Sequence, residues 1–378
     1  MLSSAPSADG ATGSSRSSRV LMLCHDESFD YAQFEDVPDL VEEKFATKDV
    51  GVLFSNLQHN PKFSDGNKNG FTAIGRAPSS ETTAEQKKAV FQGETPSLQA
   101  LADQIKRGTR KKFVVMVGAG ISTAAGIPDF RTPGNGLYDS LQKFGLPRPE
   151  AIFDLEYFRQ SPEAFYCLAK ELWPGKHKPT LTHHFLKLLA DKQYLKAVYT
   201  QNFDGLERLA GVPPELLTEC HGTFSTAHCI DCATAQNTET VKAAIMRGQK
   251  PVCKDVEEGE VCGGLIKPDL VFFGESLPHN FVQRSDADLK ECDLLLVLGT
   301  SLAVGPFNRM PQKVGPCIPR VLFNDEIVGS FLGPADENNY RDVVVVDSCD
   351  AAVKQFCDLL GWTDDLEALC VAGSKNTR

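Results

Sequence analysis

The sequence predicts an α/β fold: a doubly wound parallel sheet with a small cysteine-bearing module and a helical insertion. Three observations predict it. Short β-branched and aliphatic runs recur at 113–117, 195–199, 294–298, 320–323 and 343–346, nearly continuous in the way of strands covered on both faces. Glycines and polar residues follow several of these runs directly, at the strand end where doubly wound sheets bind ligands. Segments with apolar residues at helical spacing lie between the runs.

The chain has 378 residues, a formal net charge of −11 and a pI of about 5.3. That length buries a large core with room for an insertion or two. The acidic balance argues against nucleic acid as a direct partner, because a phosphate backbone calls for clustered Lys and Arg. It is compatible with basic protein tails. No apolar run approaches the ~18 residues of a membrane span, so no membrane partner is expected. The 12 cysteines are too sparse for a secreted disulfide scaffold, and no signal-peptide core opens the sequence. Both point to a reducing compartment.

Residues 1–95 read as a variable, largely disordered N-terminal arm. Positions 1–18 are rich in Ser, Ala and Gly, a composition that cannot bury a core. Arg16 and Arg19 in a Ser-rich setting are faintly like a mitochondrial presequence, but Asp9 and the acidic block from Asp26 to Glu43 are unlike one. The folded part is expected to begin at Pro96. Ser97 is a plausible N-cap for a helix in which Leu98, Leu101 and Ile105 share a face and Lys106 and Arg107 sit near the end.

The run 113–117 leads into Gly118-Ala119-Gly120-Ile121-Ser122-Thr123. Small residues at a strand-to-helix turn let a backbone approach a pyrophosphate, with amides at the helix start facing the anion. Tight packing without a ligand is the plain alternative. Gly126 comes later than a Gly-x-Gly-x-x-Gly fingerprint requires, and no second strand ending in an acidic ribose ligand follows. Instead Pro128-Asp129-Phe130-Arg131-Thr132-Pro133-Gly134-Asn135-Gly136 forbids regular structure. The expectation is a functional loop that becomes ordered on a bound cofactor.

Further along, Leu155, Phe158, Phe165, Leu168 and Leu172 predict two helices divided by Pro162, an aromatic-rich roof. A helix follows at 182–189, whose adjacent His183 and His184 cannot share one face and are read as structural. Strand 195–199 runs into Gln201-Asn202-Phe203-Asp204, and segment 216–220 into His221-Gly222. A histidine at a strand end is a natural general base, because an unperturbed imidazole titrates near neutrality. Cys229 and Cys232 have the two-residue spacing that presents both sulfurs from one turn; Cys253 and Cys262 have eight residues between them, so 254–261 must loop out. Four thiolates close a tetrahedron around a structural Zn2+ and leave no open catalytic position.

Taken together, Gly118-Ala119-Gly120-Ile121-Ser122, Gly126-Ile127-Pro128-Asp129-Phe130-Arg131, Thr200-Gln201-Asn202-Phe203-Asp204, His221-Gly222, the four cysteines, Lys267-Pro268-Asp269-Leu270-Val271-Phe272-Phe273-Gly274-Glu275 and Gly299-Thr300-Ser301 resemble the sirtuins, which are NAD-dependent protein-lysine deacylases. The resemblance spans about residues 96–362. It is similar to the class I branch, and within it to the cytosolic tubulin-deacetylating type, through Pro149-Glu150-Ala151-Ile152-Phe153, Arg341-Asp342-Val343 and Leu359-Leu360-Gly361-Trp362. It implies a Rossmann-like part at about 96–142, 180–225 and 265–362, a helical insertion at 143–179, a zinc-ribbon module at 226–264 and a C-terminal tail at 363–378. Ala119, Gly120, Ile121, Ser122 and Thr123 would cradle the NAD phosphates. Asp129, Phe130 and Arg131 would close over the nicotinamide and its ribose, and Gln201, Asn202, Phe203 and Asp204 would line the nicotinamide pocket. Gly299, Thr300 and Ser301 would meet phosphate and ribose; Asn324, Asp325 and Glu326 the adenosine ribose; Cys349 the adenine. Val271, Phe272, Phe273, Gly274 and Glu275 would pair with the substrate backbone as an added strand.

The implied reaction removes acetyl, or longer apolar acyl, groups from protein lysines such as those of histone or tubulin tails. The acyl oxygen attacks the ribose anomeric carbon as nicotinamide departs, with Asn202 and His221 as catalytic residues. His221 takes a proton from the ribose hydroxyls. The products are lysine, nicotinamide and O-acyl-ADP-ribose. Phe203 stands where the family usually has Ile, and the Tyr-x-x-Arg pair of acidic-acyl sirtuins has no counterpart. A cytoplasmic setting, with the nucleus as a second and the mitochondrion less favoured, goes with this reading. Mono-ADP-ribosyl transfer and a non-catalytic NAD and zinc interaction module are the alternatives.

Overall fold

The computed structural model describes residues 83–127, 144–147, 149–257 and 259–375. Most of the N-terminal arm and the segment 128–143, with Asp129, Phe130 and Arg131, lie outside the described residues. So does the expected ordering of that loop.

The folded part starts before Pro96. Thr83 caps a short helix, α1 (Ala84–Val90), in a reciprocal capping box with Gln86. Val90 and Phe91 after it are buried. Gln104 of α2 (Leu98–Lys106) donates to the Val90 carbonyl at 2.8 Å. Ser97 accepts the Ala100 amide, as expected of a cap.

Six strands form the main sheet: β1 (Phe113–Val117), β2 (Leu195–Thr200), β3 (Leu217–Glu219), β8 (Leu294–Leu298), β9 (Arg320–Asn324) and β10 (Asp342–Val346). Their order is β10-β9-β8-β1-β2-β3 and every pairing is parallel. The chain starts at the centre, winds outward through β2 to β3, and returns to pair β8 with the other side of β1. The topological switch point therefore lies between β1 and β8, whose register runs from Phe113↔Leu294 to Val117↔Leu298.

The strand sequences follow from double coverage. Phe113, Val115 and Val117 pack with Leu294, Leu296 and Leu298 under α2, α5 (Leu181–Asp191) and α9 (Cys349–Leu360). The alternate residues Val114, Met116, Leu295 and Val297 face Phe281 and Leu289 of α8 (His279–Glu291). Period-two alternation thus sends both sets into apolar layers, and the run reads as continuously hydrophobic. Arg320 on β9 and Asp342 on the neighbouring edge strand β10, both buried, pair through two bonds of 2.6 and 2.7 Å.

The helical insertion contains α3 (Leu155–Gln160) and α4 (Pro162–Leu172), divided at Ser161 with Pro162 opening the second. Phe158, Phe165 and Tyr166 pack with Phe272, Phe224 and Cys229 in a second core shared with the cysteine module. That module comprises β4 (Gly222–Cys229), a helix α7 (Thr238–Met246), a small hairpin β5 (Val256–Glu257) with β6 (Glu260–Val261), and β7 (Ile266–Leu270), which pairs antiparallel with β4. After Trp362 the chain forms another helix, α10 (Thr363–Lys375), seated on α5 with Leu366 buried.

Candidate active site

The strand ends converge at the switch point. The Gly118 amide donates to Leu298 O at 3.1 Å and the Gly120 amide to Gly299 O at 2.8 Å, so the loops after β1 and β8 are stitched backbone to backbone. A Cβ on Gly120 would stand 2.6 Å from the Gly299 Cα. Glycine is required there by close approach between two loops of the protein itself.

After β1 the chain makes two 3-10 turns, Ala119–Ile121 and Thr123–Ala125, where a helix start was expected. Gly126 at φ +82° ends the second and Pro128 follows two residues later. A left-handed residue and a proline this close together prevent helical propagation. The turn keeps its short polar side chains: Ser122 Oγ donates to Asp204 Oδ2 at 2.7 Å.

The polar cluster after β2 is tied into the same place. Gln201 N–H donates to Val117 O at 3.0 Å, and its Oε1 accepts Thr300 Oγ1–H at 2.6 Å. Asn202 Nδ2 donates to Gly118 O at 3.1 Å and reaches Ser122 Oγ at 3.4 Å. Asp204 Oδ1 accepts the Leu206 amide at 2.9 Å. Burial pushes the Asp204 carboxyl up, against the pull of its bonds from Leu206 and Ser122. Phe203 is half-buried and packs between Phe153, tilted at 6.3 Å, and Phe224, edge-on at 5.9 Å between centroids. Its ring belongs to the second core.

Farther along the same edge, Asn324 is buried and donates from Nδ2 to Glu326 O at 3.0 Å, with Asp325 and Glu326 exposed. Cys349 opens α9 with its Sγ 3.5 Å from Phe323 O, and burial pushes its thiol up to about 12. Ser301 follows Thr300 at the end of β8 and is half-buried.

His221 stands where β3 hands over to β4, half-buried, with its carbonyl accepting the Val271 amide at 2.9 Å. Gly222 beside it has φ +84°, and a Cβ there would lie 1.9 Å from Asp269 O. Only glycine allows the chain to turn off the sheet edge at this point and start pairing with β7. The turn brings the His221 backbone against the segment 271–275.

That segment was expected to offer its backbone to the substrate, and its side chains divide between core and surface. Phe272 is 1% exposed and packs at 4.8 Å against Phe165. Alternation leaves Phe273, 40% exposed, as the outward aromatic. Glu275 turns inward: its Oε2 accepts the Phe272 amide at 2.8 Å and pairs with the buried Lys267 ammonium at 2.9 Å. Lys267 also donates to Leu270 O at 2.7 Å and lies 4.5 Å from the Phe272 ring. The Val271 and Phe273 amides bond to His221 O and Phe153 O. The chain therefore engages most of the segment's amides itself, and the region open to an added strand is narrow, near Gly274. Replacing Glu275 by Gln is expected to raise KM for peptide about tenfold, since bonds to charged groups contribute ~1.5–3 kcal/mol, with KM for NAD unchanged. Unchanged peptide KM by steady-state kinetics would remove Glu275 from this role.

The four cysteines come together. Cys229 Sγ is 3.7 Å from Cys262 Sγ, and Cys232 Sγ is 3.7 Å from Cys253 Sγ. All four sulfurs lie within 4.8 Å of one another and none is in a disulfide. A tetrahedron with Zn–S bonds of about 2.3 Å has edges near 3.8 Å, so the thiolates fit Zn2+. The irregular second spacing is explained by the β5–β6 hairpin, which folds the excursion back. The Cys262 amide donates to Asp255 O at 2.9 Å and the Cys253 amide to Gly264 O at 2.8 Å, placing the two sulfurs side by side.

Sequence reasoning missed the contribution of α5. His183 and Glu207 lie beneath the Asp204 loop, and the donor atoms of His183, Asp204 and Glu207 all fall within 4.8 Å of one another. A signal was present: His183 is three residues after Thr180, the spacing of a capping box, and the box is formed.

Residues 118–306 match the model of the Sir2 family. The chain is 50% identical over 272 residues to the NAD-dependent protein deacetylase hst2 of Schizosaccharomyces pombe, covering 72% of this chain and 79% of that protein. It is 46% identical over 287 residues to the NAD-dependent protein deacetylase sirtuin-2 of Danio rerio, covering 72% and 74%. It is 48% identical over 271 residues to the NAD-dependent protein deacetylase sirtuin-3 of Mus musculus, covering 71% and 78%. By the family match and by these identities over more than two thirds of each relative, the chain belongs to the Sir2 family.

Proposed function

We propose that this protein is an NAD-dependent protein-lysine deacetylase with a structural zinc. The carrying observation is the polar constellation at the switch point, where Ser122, Gln201, Asn202, Asp204 and Thr300 are bonded into one edge with His221 at the neighbouring strand end. Bound there, NAD supplies an electrophilic ribose carbon and nicotinamide as its leaving group. The glycine-stitched turn at 118–123 meets the phosphates. Gln201, Asn202 and Asp204 orient the nicotinamide end, where proximity enforces attack by the acyl oxygen. His221 accepts a proton from the ribose hydroxyls. Asp129, Phe130 and Arg131, which the resemblance assigns to this end, lie outside the described residues. Asn324, Asp325, Glu326 and Cys349 mark the adenosine side. The four thiolates hold zinc with no open position, so the metal has no part in the reacting step.

The substrates are acetylated lysines in protein tails. The net charge of −11 favours basic tails such as those of histones or tubulin by electrostatic steering. The cysteine content accords with a cytoplasmic or nuclear setting, and among the described residues no helix is long and apolar enough to cross a membrane. A panel of acylated peptides tests the reaction: acetyl and longer apolar acyl-lysine peptides are deacylated in the presence of NAD, and succinyl peptides are not. An ADP-ribosylated protein found by mass spectrometry in place of free lysine would favour ADP-ribosyl transfer.

A further inference from the structure

Beneath the cofactor edge lies a buried cluster that the proposed chemistry does not use. His183 of α5 is fully buried, Glu207 of α6 (Leu206–Leu209) is 1% exposed, and both face the Asp204 carboxylate across no more than 4.8 Å. His183 Nε2 is buried with no hydrogen-bond partner among the described residues. Its Nδ1 is occupied from the other side, where the Thr180 amide donates to it at 3.2 Å in the capping box. Thr180 Oγ1 lies 2.8 Å from the same Nδ1 and 2.9 Å from Ile121 O, so its one hydrogen has two acceptors and ties the helix start to the phosphate turn. A neutral imidazole whose Nδ1 accepts carries its hydrogen on Nε2. Burial holds this imidazole neutral, down to about 3. The unpartnered atom is therefore a buried N–H in the same cluster as the two carboxylates.

Each carboxylate is wired to the site above. Asp204 Oδ2 accepts from Ser122. Glu207 Oε1 accepts Thr200 Oγ1–H at 2.6 Å, and Thr200 Oγ1 accepts the Asn202 amide at 2.9 Å. Among the described residues, the groups facing Glu207 include no cation committed to it. Asp204 lies on the β2 loop, Glu219 on β3 and Cys220 just after it, and neutral His183 on α5 with His184 beside it. Arg208, next in sequence, is turned to Glu219 at 2.6 Å, and the charge of His177 bears on Asp204. Two carboxylates this close in a buried site do not both ionise without cost.

We propose that His183 and Glu207 are positioning residues for the nicotinamide side of the cofactor edge. Glu207 carries a proton, His183 keeps a neutral imidazole beside the two carboxylates, and together they keep Asp204 as a single anion seated on Ser122 and Leu206. The inference rests on reading this edge as the NAD site. Burial, and then the charge of Asp204, push the Glu207 carboxyl up to about 8. Above that pH a second charge develops beside Asp204 and drives it off Ser122. A metal ion does not suit the cluster, because a ligating nitrogen must be bare and the Thr180 amide leaves the hydrogen on Nε2.

The test measures NAD affinity by calorimetry between pH 7 and 9 for the full-length wild type, Glu207→Gln, His183→Leu and His183→Gln, with thermal midpoints from pH 5 to 9 on the same samples. A group titrating near 8 changes its protonated fraction about tenfold over pH 7–9, so wild-type affinity weakens by about that factor and E207Q by less than about threefold. H183L weakens NAD binding about tenfold at pH 7, and H183Q, which keeps an N–H donor, recovers most of it. For stability the sign is fixed by a folded value above the unfolded one of ~4.3: the contribution is present below that pH and is lost as pH climbs through 8. The midpoint of E207Q therefore gains on wild type from pH 5 to 8. An E207Q variant that loses NAD affinity in parallel with wild type overturns the proposal, as does H183L binding NAD like wild type. If H183L does not fold, the comparison of E207Q with wild type decides. A midpoint raised by added Mn2+ in wild type but not in E207Q overturns the proton assignment. Peptide deacetylation with a flat pH dependence of NAD affinity refutes this proposal alone; the predicted dependence without peptide turnover refutes the deacetylase reading alone.

Discussion

Replacing His221 by Ala is expected to lower peptide deacetylation by a factor of about 10² to 10⁴, the usual range for a positioned general base, while NAD binds within about threefold of wild type. The split between turnover and binding follows from where His221 sits. The cofactor edge is held by contacts that do not involve its ring: Gly120 to Gly299, Gln201 to Thr300, and Ser122 to Asp204. The backbone of His221 is held by the Val271 amide and by the turn at Gly222. Alanine preserves that backbone, so the loss falls on proton transfer. Product formation followed by chromatography, with NAD affinity by calorimetry, checks both halves. A variant that deacetylates peptide near the wild-type rate removes His221 from the base role.

Removing zinc is expected to have the second largest effect, and it acts through packing. Cys229 and Cys253 are buried in the same core as Phe158, Phe165, Trp173, Phe224 and Phe272. Phe272 anchors the segment 271–275, and Phe224 lies on β4, which begins beside His221. Loss of the metal frees four thiolates about 3.7 Å apart and releases the hairpin that aligns the second pair. Structural zinc contributes ~10–16 kcal/mol of binding free energy in small peptide modules, enough to decide whether such a module folds. Cys253→Ser should reduce bound zinc well below one per chain, lower the thermal midpoint, and abolish peptide turnover. An excess of chelator should do the same to wild type. Full zinc content by elemental analysis with an unchanged midpoint in C253S would contradict the four-thiolate site.

The sheet was legible in the sequence because its strands are covered on both faces. Continuous apolar runs at 113–117 and 294–298 leave little choice of element, and the Gly and polar clusters after them mark the strand ends. The four sulfurs were legible from residue type and the first spacing. Other features were not, for physical reasons. The turns after β1 look like a helix start locally, and only the left-handed Gly126 with Pro128 beyond it stops propagation. The hairpin at 256–261 has two residues per strand, too few for any periodicity to register. Helix α1 is anchored by Val90 and Phe91 contacts with a core distant in sequence. The inward turn of Glu275 depends on Lys267 eight positions earlier, a pairing that exists only once the strand folds back. His183 and Glu207 meet across an entire crossover unit, and adjacency to His184 pointed to a passive role.

The central claim is that this edge couples NAD cleavage to an acetylated lysine. It is tested most directly by incubating the full-length protein with NAD, with and without an acetyl-lysine peptide, and counting nicotinamide, free lysine peptide and O-acetyl-ADP-ribose by mass spectrometry. The account predicts nicotinamide release only with peptide, and the three products in equal amounts. Nicotinamide released at the same rate without peptide, or none released with it, would contradict the account.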